Sequence, residues 1–265
     1  MKKVISSKDE LPENIRDGIR CAAEIIRGSK KGAVLSGAGI STPSGIPDFR
    51  SPENGLWGQF DPMEVASLLS FRYNPNHFFE WMRPLVEKID QAKPNPAHFG
   101  LARLESAGYI QTIITQNIDG LHQRAGSRNV LEVHGSIETL TCINCYRQYP
   151  AENYTKAYLD RGEIPSCPHC GNILKPDLVL FGEQMPAKTW LKAREVCKEC
   201  DLMIVAGSSL EVLPAANLPM QALGNGARLI IINRTNTYLD VRADVVFHRD
   251  LAEIIPIMVK AVLQG

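Results

Sequence analysis

Four cysteines stand in the chain as Cys142-Ile-Asn-Cys145 and Cys167-Pro-His-Cys170, two Cys-x-x-Cys knuckles 21 residues apart. Four thiolates so spaced bind one tetrahedral Zn2+ and leave no open coordination position. The metal is therefore expected to be structural, stapling a segment too short to build its own core. Pro165, Pro168 and Gly171 supply turn chemistry for the second knuckle, and Asn-Ile-Leu-Lys-Pro after Cys170 suits a hairpin strand leading back to the main body. A third pair, Cys197 and Cys200, lacks turn formers. Helical i, i+3 spacing puts both of its thiols on one face, so they are expected in the core and not on a metal. Cys21 stands alone.

Other polar groups cluster where apolar runs end. Glu132-Val133-His134-Gly135-Ser136 sets a histidine at an expected strand end. An imidazole titrating near ~6.5 suits proton transfer at neutral pH, although a satisfied structural histidine is the alternative. Gln116, Asn117, Ile118 and Asp119 follow the run Ile110–Thr115. Their amides could hold ribose hydroxyls and the carboxylate an amide-bearing ring, or Asp119 could simply cap the next helix. Gly37-Ala38-Gly39 follows another run, and glycines there let backbone approach a pyrophosphate. The dinucleotide fingerprint is incomplete, since Thr42 stands where its third glycine belongs. The next residues, through Pro43, Gly45 and Pro47 to Asp48-Phe49-Arg50, predict a proline-stiffened loop covering a ligand and not a helix. Gly207-Ser208-Ser209 and Asn233-Arg234 end two further runs and suit an adenosine half-site. His77, His98, His169 and His248 read as structural, and His122 stays open.

These residues need a parallel sheet to bring them together. Short apolar runs at 33–36, 110–115, 178–181, 202–206, 229–232 and 245–247 alternate with helical patterning at 15–26, 97–106, 187–196, 215–223 and 251–263. That rhythm predicts an α/β fold, a Rossmann-like parallel sheet covered on both faces. Two stretches break it. Residues 52–93 are rich in aromatics and proline and read as a helical insertion; residues 141–176 read as a small zinc-ribbon module. The Rossmann-like domain then comprises 1–51, 94–140 and 177–265.

Composition narrows the function. The 265 residues are 44% apolar, which excludes wholesale disorder, and 29 basic residues balance 29 acidic ones. A neutral chain lacks the electrostatic footprint of a nucleic-acid or membrane-surface binder. Its apolar runs fall short of the ~18 residues that cross hydrocarbon. Met1 to Glu10 has no apolar core of a secretory signal. A cytoplasmic location with reduced thiols is expected.

Taken in order, these motifs resemble the sirtuin family of NAD-dependent protein lysine deacylases, of prokaryotic type, from Gly37 to Asn233 and more weakly towards Leu251. Gly37-Ala38-Gly39-Ile40-Ser41 with Gly45 to Arg50 is similar to the family's cofactor loop. Thr115 to Asp119, Glu132 to Gly135, the four zinc cysteines, Val179 to Glu183 and Gly207-Ser208-Ser209 follow in the family's order. The resemblance implies NAD across the strand ends, its pyrophosphate near Gly37, Ala38, Gly39 and Thr42. Adenosine would lie near Gly207, Ser208, Ser209, Asn233, Asp250 and Leu251, with Gln116, Asn117, Ile118 and Asp119 around the nicotinamide ribose. In the family the acyl-lysine oxygen attacks that ribose as nicotinamide leaves. His134 matches the general base and Asn117 stands beside it; Phe49 would cap the vacated pocket and Arg50 hold the loop. An acetylated peptide would enter as a β-strand between the modules, along Val179, Phe181, Gly182 and Glu183 on one side and Val212 on the other. Glu183 and Glu211 would favour basic peptides. Family members that prefer acidic acyl groups carry a Tyr and an Arg in the loop after Phe-Arg, and residues 51–69 contain neither. Neutral acyl groups, acetyl first, are therefore expected. The products are free lysine, nicotinamide and O-acetyl-ADP-ribose.

Three rival activities share some of these motifs. Mono-ADP-ribosyl transfer would use the same ribose, but branches specialised for it tend to lose the histidine kept here as His134. A zinc ribbon that binds nucleic acid has only a slight basic excess to work with. An NAD oxidoreductase is the third.

Overall fold

The computed structural model describes residues 12–48 and 60–265. Helix α1 (Glu13–Gly28) buries Ile19, Ala22, Ala23 and Ile26, an i, i+3, i+4, i+7 stripe facing the core. Strand β1 (Gly32–Ser36) is buried along its whole length, as a central parallel strand must be. Two single-turn 3-10 segments follow, Ala38–Ile40 and Thr42–Ser44, so no α-helix starts at the glycine turn. Next come short α2 (Pro62–Val65) and α3 (Leu68–Tyr73), long α4 (Pro75–Gln91) and α5 (Pro96–Ser106). Asp61, Ser67, Asn74 and Asn95 cap these four with side-chain oxygens. Strand β2 (Ile110–Thr115), the single turn α6 (Leu121–Arg124) and the three-residue β3 (Val130–Glu132) complete this half of the sheet.

The chain then leaves the main sheet through β4 (Gly135–Cys142), β5 (Gln148–Pro150), α7 (Glu152–Arg161) and β6 (Leu174–Leu178). It returns with α8 (Ala187–Glu199), β7 (Leu202–Ala206), α9 (Leu218–Gly224), β8 (Arg228–Ile232), β9 (Val245–Phe247) and α10 (Leu251–Gln264). The main sheet has six parallel strands in the order β3-β2-β1-β7-β8-β9. Counted along the chain this is 3-2-1-4-5-6, the doubly wound order of dinucleotide-binding folds. Side chains alternate across it with period two. Val34, Ile113, Ile204 and Ile230 pack under α1, α5 and α10, while Leu35, Ile114, Val205 and Ile231 pack under α8 and α9.

A second, antiparallel sheet runs β5-β4-β6. Its own core holds only Leu140, Leu174 and two of the four knuckle cysteines, Cys142 and Cys167, which explains the need for a staple. A third apolar cluster joins this module to the helical insertion. Phe71, Phe78 and Phe79 pack edge to face on one another, Phe79 meets Tyr158 of α7 in the same way with ring centres 5.6 Å apart, and Leu178 and Leu180 close the cluster.

Two elements differ from the sequence expectation. Residues 178–181 are not a strand of the parallel sheet: Leu178 ends β6, and Phe181 forms an isolated parallel bridge with Ser67. The run is apolar because Leu178 and Leu180 fill the third cluster, and period alone does not tell one core from another. Residues 215–223 split into a 3-10 turn, Ala215–Asn217, and α9, because Pro219 enters only at the first turn of a helix.

Candidate active site

The loops after β1 and β7 diverge from the point where the strand order reverses, the crevice in which doubly wound sheets bind ligands. The two loops touch there. A Cβ on Gly39 would stand 2.9 Å from Gly207, and one on Gly207, at φ +69°, would stand 2.4 Å from the Ile40 nitrogen. Gly39 N–H donates to the Gly207 carbonyl at 2.9 Å, and Gly37 N–H to that of Ala206 at 3.1 Å. Such crossing backbone leaves a side-chain-free cradle, which fits the demands of a pyrophosphate. Thr42 closes the turn by donating its hydroxyl to the Gly39 carbonyl at 3.1 Å.

The loop after β2 is pinned into this crevice from below. Asn117 Nδ2 donates to the Gly37 carbonyl at 3.2 Å and to Ser41 Oγ at 3.1 Å, and Ser41 Oγ donates to Asp119 Oδ2 at 2.6 Å. Asp119 Oδ1 also accepts from Leu121 N–H at 2.9 Å, at the first residue of α6, whose N-cap is Gly120 and not Asp119. Burial pushes the Asp119 carboxyl above the usual range, opposed by the Ser41 and Leu121 donors. Gln116 is a hub: its N–H donates to the Ser36 carbonyl at 3.0 Å and its side chain to Ser208 Oγ at 2.9 Å, while its own carbonyl faces His134 Nδ1 at 3.0 Å.

That last contact fixes a tautomer. A carbonyl can only accept, so Nδ1 carries the proton and Nε2 keeps its lone pair. Burial holds the His134 pKa below the ordinary value of 6.5, against the opposing pull of the Gln116 carbonyl. The imidazole is thus neutral and basic at Nε2 at neutral pH. A rate that depends on this base stays flat above pH 6.5 and falls in acid with a midpoint below 6.5; a kcat–pH profile at saturating substrates checks it. Two residues upstream, burial raises Glu132 to about 7, aided by the nearby charges of Glu138 and Asp119.

The remaining expected residues lie in several other loops. Ser208 and Ser209 follow β7, Asn233 follows β8, and Asp250 and Leu251 follow β9. Asn233 Nδ2 is already given to Thr235, and Asp250 both caps α10 and pairs with Arg234. Ala38 and Ile118 contribute backbone to the first two loops. Phe49 and Arg50 lie outside the described residues. Val179, Phe181, Gly182 and Glu183 follow β6, and Val179 N–H donates to the carbonyl of His134 itself at 2.8 Å. Val212 lies in the loop after β7, beside exposed Leu213.

Sequence reasoning underrated the groups beneath the site. Ser41, Ser36 and Thr115 are buried and hydrogen-bonded: Asn117 N–H donates to Thr115 Oγ1, and Ser36 Oγ donates to Thr115 Oγ1 and meets His122 Nε2 at 2.8 Å. Ser41 was visible as part of the glycine motif, whereas nothing local to His122 marked it. His98 is structural as expected, its Nδ1 accepting from Asn95 N–H in the capping box of α5.

The four cysteines of the two knuckles converge, their sulfurs all within 4.8 Å of one another. Cys142 and Cys170 Sγ are 3.4 Å apart and Cys145 and Cys167 Sγ 3.6 Å. Tetrahedral Zn2+ with ~2.3 Å bonds separates its sulfurs by about 3.8 Å, so the set fits zinc. Cys197 sits inside α8 and Cys200 at its C-cap, both buried in the main core. Cys197→Ala is expected to leave one zinc per chain, measured by atomic absorption.

The chain is similar to known proteins. A profile described as the Sir2 family matches residues 37–214. The NAD-dependent protein deacylase 2 of Archaeoglobus fulgidus is 47% identical over 94% of this chain and 97% of its own length. The NAD-dependent protein deacetylase of Thermodesulfovibrio yellowstonii is 44% identical, covering 88% and 90%. The solved structure of Sir2Af2 bound to a myristoylated histone peptide superposes with a TM-score of 0.80 at 42% identity, covering 94% of this chain and 98% of that one.

Proposed function

The chain belongs to the Sir2 family, and from that premise we propose that its strand-end crevice holds NAD beside an acyl-lysine peptide, with His134 as the general base. The protein is an NAD-dependent protein lysine deacetylase that transfers the acyl group from lysine to ADP-ribose, releasing nicotinamide and O-acetyl-ADP-ribose. One Zn2+, held by Cys142, Cys145, Cys167 and Cys170, is structural.

The observation that carries the assignment of the base is the hydrogen bond from His134 Nδ1–H to the Gln116 carbonyl. It leaves a neutral Nε2 as the nitrogen that would take the proton of a ribose hydroxyl as that oxygen attacks. Bound NAD supplies an electrophilic ribose carbon and a nicotinamide leaving group. The chain would supply position: Asn117 and Asp119, locked through Ser41, would wall the nicotinamide end, and Gly37, Ala38 and Gly39, with Thr42 closing the turn, would seat the phosphates. Phe49 and Arg50 would close the pocket, and Gly207, Ser208, Ser209, Asn233, Asp250 and Leu251 would frame the adenosine. The peptide would add as a strand along Val179, Phe181 and Gly182, with Val212 opposite. Residues 1–51, 94–140 and 177–265 would form the NAD-binding domain, 52–93 the helical insertion and 141–176 the zinc module.

Retention of His134 and Asn117 favours deacylation over ADP-ribosyl transfer to protein. Labelled NAD decides between them: deacylation leaves the label in soluble acyl-ADP-ribose, and stable label on protein contradicts it. Acetyl is the expected acyl group, because residues 51–69 offer neither Tyr nor Arg to a second carboxylate. On matched peptides the acetyl-lysine rate should exceed the succinyl-lysine rate at least tenfold, the scale of an unpaired buried charge; the reverse order contradicts it. Nucleic acid is not an expected partner, since Arg161 is paired with Glu163 and Lys175 with Glu183 within the zinc module and its exit. Among the described residues no helix is long and apolar enough to cross a membrane. The proposed location is the cytoplasm, where thiols such as those converging at Cys142, Cys145, Cys167 and Cys170 stay reduced as metal ligands.

A further inference from the structure

Glu183 reads from sequence as a charge offered to a basic peptide, yet its carboxylate is already engaged. Lys175 of β6 reaches back and donates from one Nζ to the carbonyl of Leu178 at 2.8 Å and that of Pro176 at 3.1 Å, and pairs with Glu183 Oε2 at 3.0 Å. The same Oε2 accepts from Leu180 N–H at 3.0 Å, while Glu183 N–H donates to the Leu180 carbonyl at 2.9 Å. The turn from Leu180 to Glu183 is thereby closed twice and hooked to the zinc module. The two side chains are only 13% and 28% exposed, so water screens this pair far less than a surface one.

The segment between these anchors is fixed at its other points as well. Val179 N–H bonds the His134 carbonyl at 2.8 Å, Phe181 N–H bonds that of Ala66 at 2.9 Å, and the Phe181 carbonyl accepts from Leu68 at 2.9 Å. The far end of the segment is closed by the Lys175–Glu183 clasp. We propose that Lys175 is a positioning residue for the peptide substrate: with Glu183 it locks the Leu180-to-Glu183 turn, whose Leu180 and Phe181 main-chain groups are already bonded within the fold, so that Gly182 is held in place for strand addition. A segment so held binds an extended chain without first losing its own conformational freedom. Glu183 is then half of the clasp and not a contact for basic side chains. The proposal rests on the reading that this segment carries the peptide.

Steady-state kinetics on the zinc-loaded enzyme test it, with NAD and acetyl-lysine peptide varied separately and peptides made with and without flanking lysines. Lys175→Met is expected to raise peptide KM about tenfold, the cost of one charge-assisted hydrogen bond. NAD KM and kcat should stay within about twofold, zinc content should be unchanged, and Lys175→Arg should recover most of the loss. Glu183→Gln should raise KM alike for both peptides, and the double variant should be no worse than Lys175→Met, because a clasp is lost only once. An unchanged KM in both single variants, or additive losses, overturns the clasp. So does a Glu183→Gln defect confined to the lysine-rich peptide, which would make Glu183 a direct contact. Glu183→Gln lies outside the zinc module and carries the test if Lys175→Met loses metal.

Gly182→Val separates the clasp from the reading beneath it. Gly182 sits at φ +81° with open space around its missing Cβ, so in the free protein the substitution strains the backbone without a clash, and in the complex its side chain would stand at the proposed peptide edge. A peptide KM raised by Gly182→Val but not by Lys175→Met removes the clasp and keeps the binding segment. A KM moved by neither removes both.

Discussion

His134→Ala lowers kcat for deacetylation by about 10²–10⁴-fold, the usual contribution of a positioned general base, and leaves the affinity for NAD nearly unchanged. The split follows from what the side chain does. His134 stands on a rigid frame: the Gln116 carbonyl holds Nδ1–H at 3.0 Å, and the residue's own carbonyl is bonded by Val179 N–H at 2.8 Å. Neither contact involves the Gly37 and Gly207 loops, whose mutual packing makes the cofactor seat. Removing the imidazole therefore deletes a proton acceptor without unbuilding that seat. His134→Gln, which can keep the bond to Gln116 but has no basic nitrogen, should be as inactive as the alanine variant. Rate measurements with calorimetric NAD titrations check both, and a variant retaining more than a few per cent of activity removes the base from the mechanism.

The second large effect comes from the zinc. Stripping the metal with a chelator, or Cys142→Ala, is expected to unfold the module and cut deacetylation at least a hundredfold, while NAD binding by the six-stranded sheet persists. Structural zinc contributes on the order of 10–16 kcal/mol of folding free energy in small domains. The cluster around the knuckles has four buried residues, two of them metal ligands, and gives no comparable apolar substitute. The loss reaches catalysis through β4, which has Cys142 at one end and Gly135, next to His134, at the other. It also travels through β6, whose last residue, Leu178, precedes the Val179 amide bound to His134. Zinc content, far-UV circular dichroism and NAD titration on the same sample distinguish this from global unfolding. Full activity in the metal-free protein would contradict the coupling.

The fold was largely legible because parallel strands buried on both faces are written as short apolar runs, and β7 and β9 match their runs end to end. The misplaced run, 178–181, shows the limit: an apolar stretch announces burial but not which core receives it. Leu178 and Leu180 serve the cluster shared by the helical insertion and zinc module. The zinc ligands were legible because turn chemistry and spacing are local, and the same logic separated helical Cys197 and Cys200 from them. The active site divided along the same line. Residues at strand ends, such as Asn117 and His134, stood out as candidates by position, and the family resemblance gave them their expected roles. Their supports did not stand out, since Ser36 meets His122, and Lys175 meets Glu183, only once loops far apart in sequence or separated by a tight turn have folded. Glu183 is the instructive case: its type was read correctly as charge, and its partner decides what the charge does.

One reaction underlies the whole assignment, and its products report it most directly. Purified protein incubated with NAD and an acetyl-lysine peptide is analysed by mass spectrometry. Deacetylated peptide, nicotinamide and O-acetyl-ADP-ribose in equal amounts are the predicted result, with all three lost together in His134→Ala. NAD consumed while the peptide stays acetylated, or deacetylation yielding free acetate without NAD turnover, would contradict it.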